Sequence, residues 1–211
     1  RSMRNNNKEE FNMKQTKTVK LVIAGLIIAI LILMAFTPLG YLKVGLIEIS
    51  FCMIPVVIGG IILGPAYGAF FGGVFGFTSF AQCFGMSAFG TALMGINPIF
   101  TFITCVVSRI LAGWLSALIY KGLYRFPKSK FISYPISCLS GSLLNTLFFV
   151  GMVIAFFANS SYLKDMMGGM NIFAFAVAFA GINSLIEAGV TTVIGAAVAG
   201  AISKTKILDI K

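Results

Sequence analysis

Apolar residues lie along the chain in long runs separated by short polar or glycine-rich stretches. Six runs can be drawn, at about 19–36, 49–64, 66–84, 97–120, 133–158 and 173–203. A bilayer-crossing helix needs about 20 predominantly apolar residues. The pattern therefore predicts an all-α membrane protein with six transmembrane helices in a single domain, 19–204. Their unequal lengths imply unequal tilt or partial unwinding. The run from Val19 is long and is not followed by a small-x-small cleavage site, so it reads as a first span and not as a signal peptide.

The breaks between runs have their own chemistry. Thr37-Pro-Leu-Gly-Tyr-Leu-Lys-Val-Gly ends the first helix, because Pro38 removes a donor and Gly40 frees the backbone. Leu63-Gly-Pro-Ala is short enough for a tight turn between antiparallel helices. Gly85-Met-Ser-Ala-Phe-Gly-Thr-Ala-Leu-Met-Gly is too apolar for a solvated loop and too glycine-rich to read as a helix. It is expected to fold back onto the protein. Arg1-Ser2 ahead of Met3 reads as a cloning remnant, residues 1–18 as a disordered cytoplasmic tail, and 205–211 as a second cytoplasmic tail.

Composition sharpens the class. With 58% hydrophobic and 10% charged residues and a mean hydropathy of +0.98, the chain is far more apolar than a soluble domain. Its 211 residues leave no room for a soluble catalytic domain beside six spans. Histidine is absent, and the two aspartates, Asp165 and Asp209, fall in hydrophilic segments. That excludes His-dependent nucleophilic, general-base and metal chemistry. No G-x-x-x-x-G-K-[ST] run is present, so ATP-driven work falls to another polypeptide. Cys52, Cys83, Cys105 and Cys138 lie singly, without C-x-x-C spacing, and read as small buried apolar side chains. The expectation is no enzyme, no cofactor and no metal.

The net charge of +10 is unevenly placed. Arg1, Arg4, Lys8, Lys14, Lys17 and Lys20 precede the first run, Lys121, Arg125, Lys128 and Lys130 follow the fourth, and Lys204, Lys206 and Lys211 end the chain. With six spans these share one side, leaving Lys43 and Lys164 on the other. The positive-inside rule makes both termini cytoplasmic. The same asymmetry accounts for the basic balance without nucleic acid.

Polar groups inside apolar runs are costly unless they are paired or face a cavity, so each is a candidate site residue. Arg109 in the fourth run and Glu187 in the sixth stand at similar depth and are expected to pair, with Asn145 and Asn183 completing a network. Two readings stand for the pair: a packing device, or a ligand site. Asn183 and Glu187 are four apart and share a helix face, with Asn145-Thr146 facing them from the fifth run. Asn97 and Thr101 form another such pair. Asn97 before Pro98 also has the form of a helix N-cap with proline at the first position. Gln82, ending the third run, has no local task. Glu48 either caps the second helix or reaches a ligand.

Phe84, Met86, Ser87, Phe89 and Met94 accompany these groups in and around the glycine-rich loop, and Phe148 and Phe149 add aromatic surface. Apolar walls with a few fixed polar groups are the usual form of a small-molecule pocket. Small residues make a further pattern, since Gly25 and Ala29 are four apart and Gly68, Gly72 and Gly76 continue that spacing on the third run, beside Gly73. Such faces let helices approach closely in lipid. On the third run the partner is expected to be internal, on the first an external subunit. No internal repeat and no matched pair of interrupted helices is evident, which disfavours a self-sufficient transporter. A stand-alone secondary transporter or channel for a small organic solute remains the second reading.

The run Ile54-Pro-Val-Val-Ile-Gly-Gly-Ile-Ile-Leu-Gly-Pro-Ala-Tyr-Gly-Ala-Phe-Phe-Gly-Gly-Val-Phe-Gly-Phe-Thr-Ser resembles the second and third helices of S components of energy-coupling factor (ECF) transporters. Ser108-Arg109-Ile-Leu-Ala-Gly, Gly141-Ser-Leu-Leu-Asn145-Thr and Asn183-Ser-Leu-Ile-Glu187-Ala are similar to later parts of the same pattern. The resemblance implies a six-helix vitamin-binding subunit in the bacterial cell membrane. It would capture its ligand from outside and dock on one transmembrane T subunit and two ATPases. The family's docking face, Ala-x-x-x-Ala, reads Gly25-x-x-x-Ala29 here. Family ligand sites draw on segments that correspond to Tyr41, Met86 to Phe89, Asn97, Arg109, Asn145, Asn183 and Glu187. Within the family the chain looks nearest the riboflavin and pantothenate binders. Pantothenate is favoured slightly, because Arg109 or Lys164 offers its carboxylate a partner.

Overall fold

Glycine and proline punctuation breaks the apolar runs, and the described residues form ten elements. The computed structural model describes residues 2–38, 40–44, 47–126 and 130–203, with side chains placed except at 2–16, 42–44, 47–49, 130, 131, 180, 182, 183 and 203. In chain order the elements are α1 (Ser2–Ala35), β1 (Tyr41–Val44), β2 (Ile47–Ser50), α2 (Met53–Leu63), α3 (Pro65–Gln82), α4 (Ala88–Ile96), α5 (Pro98–Tyr124), α6 (Lys130–Phe157), α7 (Ser161–Met167) and α8 (Ile172–Ser203). The chain is a helical membrane protein. Stretches within α1, α5, α6 and α8 (Lys17–Ala35, Pro98–Tyr124, Ile132–Phe157 and Ser184–Ile202) are long and apolar enough to cross a bilayer.

The structure departs from the expected pattern at four places. α1 begins at Ser2, so helix runs through the polar residues where no regular structure was expected. The second run does not start as a helix: β1 and β2 form an antiparallel hairpin pairing Tyr41 with Ser50 and Val44 with Ile47, and Phe51 N–H extends it by donating to Gly40 O at 2.9 Å. Only Met53–Leu63 remains helical, about 16 Å at ~1.5 Å per residue. The glycine-rich loop folds back as expected but does so as a helix, α4, capped by Ser87 Oγ accepting from Gly90 N–H at 3.2 Å. A short helix, α7, likewise capped by Ser160, lies between the fifth and sixth runs.

α2 is the centre of the molecule, with every residue buried. Around it pack α1, α3, α5, α6 and α8. α1 meets them along Ala24, Ile27, Leu31 and Ala35, a stripe with helical spacing. Its Gly25 and Ala29 lie off that stripe and are exposed. The α2–α3 turn uses Gly64 at φ 104°, with Pro65 opening α3. That conformation is open to glycine and rarely to other residues.

The expected internal partner of the third run's glycines is α5. A β-carbon on Gly68 would lie 2.5 Å from Gly113 O, one on Gly72 2.2 Å from Arg109 O, and one on Gly76 2.7 Å from Val106 Cα. The helices therefore touch backbone to backbone. A second apolar cluster, Phe89, Leu93, Val153, Phe157, Leu163 and Phe175, seats α4 and α7 against the end of the bundle where α3 stops and α5 starts. Of these two short helices, α4 roofs the cavity described next.

Candidate ligand-binding cavity

At that end the elements leave a cavity of about 120 Å³. The hairpin contributes Tyr41 and Ser50, α3 Ser79 and Gln82, α4 Phe89, Gly90 and Leu93, α5 Thr101 and Cys105, α6 Asn145, Thr146, Phe149 and Val150, and α8 Phe179, Ser184 and Glu187, with Cys83 and Ser87 from the turn between α3 and α4. Its walls combine aromatic surface with hydroxyl, amide and carboxyl groups, as a small polar organic ligand requires.

Phe89 holds the roof. Its ring lies 5.1 Å from that of Phe179, 6.3 Å from Tyr162 and 6.4 Å from Phe149. One α4 side chain thereby joins α6, α7 and α8. Gln82 is also structural in part: its Nε2 donates to Ala35 O, tying the last residue of α3 to the last of α1. The tie also satisfies an end-of-helix carbonyl.

The expected contact between Arg109 and Glu187 is not formed. No carboxylate oxygen of the described residues lies within 4.0 Å of the guanidinium. Arg109 Nη1 donates instead to Ser108 Oγ at 2.9 Å and Thr104 O at 3.3 Å. The guanidinium carbon is 4.5 Å from the Phe149 ring centroid and 5.4 Å from that of Phe75, while Nε is buried with no partner. The physical reason is local. Arg109 finds acceptors on its own helix, one and five residues back, and two aromatic faces beside it, a cation–π arrangement. Arg109 is 7% exposed and sits behind the cavity wall, touching Phe149, which does line it.

Glu187 accepts a long hydrogen bond from Asn145 Nδ2 at 3.4 Å. Asn145 Oδ1 and the Tyr41 hydroxyl are buried without a partner. A buried polar group left unsatisfied costs roughly 1–3 kcal/mol. Two acceptors and a hydroxyl thus stand around one space, with the cation behind the Phe149 ring.

Of the sequence-predicted residues, Tyr41, Gln82, Ser87, Phe89, Thr101, Asn145, Phe149 and Glu187 line the cavity, with Thr146 beside Asn145. Asn97 does not: its Oδ1 accepts from Ile99 and Phe100 N–H at 3.0 and 3.1 Å, capping α5. That leaves no acceptor for a ligand. Met86 and Phe84 are exposed at the turn, and Met94 and Phe148 do not line the cavity. Lys164 is exposed on α7. The side chains of Glu48 and Asn183 lie outside the described residues, as do Lys204, Lys206 and Lys211. Ser50, Ser79, Cys83, Cys105, Phe179 and Ser184 were missed. Small hydroxyls and thiols carry almost no signal inside an apolar run, although Ser184 adjoins Asn183 and Cys105 stands one turn from Thr101 and Arg109.

The sequence pattern of the family described as "ECF transporter, substrate-specific component" matches residues 19–199. The Pantothenate transporter PanT of Leuconostoc mesenteroides subsp. mesenteroides is 27% identical over 185 residues, covering 83% of this chain and 87% of that protein. A cavity with apolar walls and a few polar groups, roofed by α4, accords with a subunit whose task is to hold a substrate. The chain belongs to the family of substrate-specific components of ECF transporters.

Proposed function

We propose that the chain captures pantothenate from outside a bacterial cell and delivers it through partner subunits that hydrolyse ATP, acting as no enzyme itself. The observation that carries the choice of ligand is the buried Arg109, a cation with no carboxylate partner in the described protein. Pantothenate has one carboxylate, one amide and two hydroxyls. In this reading the carboxylate reaches the Arg109 guanidinium after the Phe149 ring turns aside, and Asn145, Tyr41 and Glu187 serve the amide and hydroxyls. The identity to a pantothenate transporter supports the same assignment.

α1, α3, α5, α6 and α8 each cross the bilayer, and the second crossing combines the short α2 with extended chain from the hairpin. Backbone of that kind is tolerated at membrane depth only where protein covers it, and Ser50 and all of α2 are buried. Six crossings place both termini in the cytoplasm, on the side of Lys17, Lys20, Lys121 and Arg125. The cavity then opens outwards. The exposed Gly25–Ala29 face of α1 meets the transmembrane T subunit, which carries two ATPases.

The test is calorimetric titration of the purified full chain in detergent with pantothenate and with panthenol, in which the carboxylate is replaced by an alcohol. A 1:1 complex with pantothenate is expected, and panthenol should bind about 10- to 100-fold more weakly, the worth of a charged hydrogen bond at roughly 1.5–3 kcal/mol. No heat with pantothenate, or equal affinity for the two, sinks the assignment.

A further inference from the structure

Read singly along the chain, the cysteines are small apolar side chains, but two of them meet in the cavity wall. Cys83 follows the last residue of α3 as its C-cap, and Cys105 lies two turns into α5. Their Sγ atoms are 3.9 Å apart, and both residues line the cavity. Neither is in a disulfide. The Cys83 thiol also donates to Ser79 O at 3.4 Å. α4 closes over it, since a β-carbon on Gly90 would stand 2.7 Å from Cys83 Sγ. Cys52 and Cys138 are equally buried but do not line the cavity.

A disulfide needs its sulfurs about 2.05 Å apart, so this pair must close by roughly 2 Å. Cys83 can supply much of that movement. It lies in the turn between α3 and α4, residues 83–86, and not inside a helix. A cavity with several hydroxyl groups also admits a molecule as small as hydrogen peroxide.

We infer that Cys83 and Cys105 form an oxidisable dithiol, which a peroxide converts to an intramolecular disulfide joining α3 to α5. In the first step one sulfur attacks a peroxide oxygen. An S–O bond forms, the O–O bond breaks, and the leaving oxygen takes the thiol proton and departs as water. In the second step the other sulfur attacks the sulfenic sulfur. The S–S bond forms, the S–O bond breaks, and the hydroxyl leaves as water with the second thiol proton. Two thiols and one hydrogen peroxide thus give one disulfide and two waters. The sulfurs are oxidised and the peroxide oxygens reduced. Thiol reductants reverse the change.

The experiment uses the purified full chain in detergent with no vitamin present, so its outcome is independent of the transport reading. The protein is exposed to dilute hydrogen peroxide, quenched with catalase, denatured, alkylated and mapped by peptide mass spectrometry. Alkylatable thiols per chain should fall from four to two, with a Cys83–Cys105 linked peptide, and dithiothreitol should restore all four. In C105S the linked peptide should vanish, and dimedone should label Cys83 as its sulfenic acid. The double variant C52S/C138S should retain the link. Persistence of four alkylatable thiols overturns the inference. So does loss of thiols without the linked peptide, or linkage through Cys52, Cys138 or a second chain.

Discussion

Gly72 of α3 and Arg109 of α5 stand so close that a β-carbon on the glycine would lie 2.2 Å from the arginine carbonyl oxygen. The crossing of the two helices is therefore fixed at the residue that supplies the buried cation. Gly72→Ala must push α5 away, at a cost of about 1–3 kcal/mol for overpacking. Gly73→Ala is the control, since its β-carbon would meet Ile110 Cγ1 at 3.6 Å, an ordinary contact. Alanine is also the better helix former by about 1 kcal/mol. Thermal unfolding in detergent should show a lower midpoint for G72A and an unchanged or higher one for G73A. Equal midpoints contradict the close crossing.

Arg109 is held by a hydroxyl, a carbonyl and two rings, with Nε unsatisfied. Replacing a buried unpaired charge by an apolar side chain of similar length is neutral or stabilising. Arg109→Met should therefore raise the unfolding midpoint of the protein without ligand, while weakening pantothenate about 10- to 100-fold by losing its charged hydrogen bonds. Panthenol affinity should change much less. A variant that loses stability and keeps its affinity assigns Arg109 to packing.

Asn145 Nδ2 donates to Glu187 Oε1 at 3.4 Å across α6 and α8. Asn145→Ala removes the donor and leaves one carboxyl alone. Asn145→Asp sets a second carboxyl beside it, and like charges at this range repel strongly where solvent is scarce. N145D should be less stable than N145A, and its midpoint should recover on acidification, because protonating one carboxyl removes the repulsion. Unfolding midpoints across a pH series decide the matter. A pH-independent N145D would show that the two side chains do not face each other.

The hydrophobic runs foretold the long helices because a bilayer demands an uninterrupted apolar stretch, and α3, α5, α6 and α8 begin or end within a few residues of the expected bounds. The Asn97-Pro98 cap was legible for the same local reason. The hairpin at Tyr41–Ser50 and the helix α4 were not. Strand pairing at the first and tertiary cover over Phe89, Gly90 and Leu93 at the second override local composition. Arg109 and Glu187 could be placed at one depth by counting residues, but their azimuths could not. The guanidinium turned to Ser108, Thr104 and the rings. Gln82 shows the same limit, because its partner, Ala35, is 47 residues away.

α1 packs through Ala24, Ile27, Leu31 and Ala35 and leaves Gly25 and Ala29 exposed, with nothing within 4 Å of a β-carbon built on Gly25. Neither residue lines the cavity. Bulk added there touches neither the core nor the ligand site, so Ala29→Trp should preserve the unfolding midpoint and pantothenate affinity of the isolated chain. In the proposed assembly the same face needs small residues for close helix approach in lipid, and tryptophan fills that space. Uptake of labelled pantothenate by cells or vesicles containing the T subunit and ATPases should then be abolished. Uptake at the unaltered rate would move the docking face elsewhere, and loss of binding by the isolated chain would make α1 part of the site.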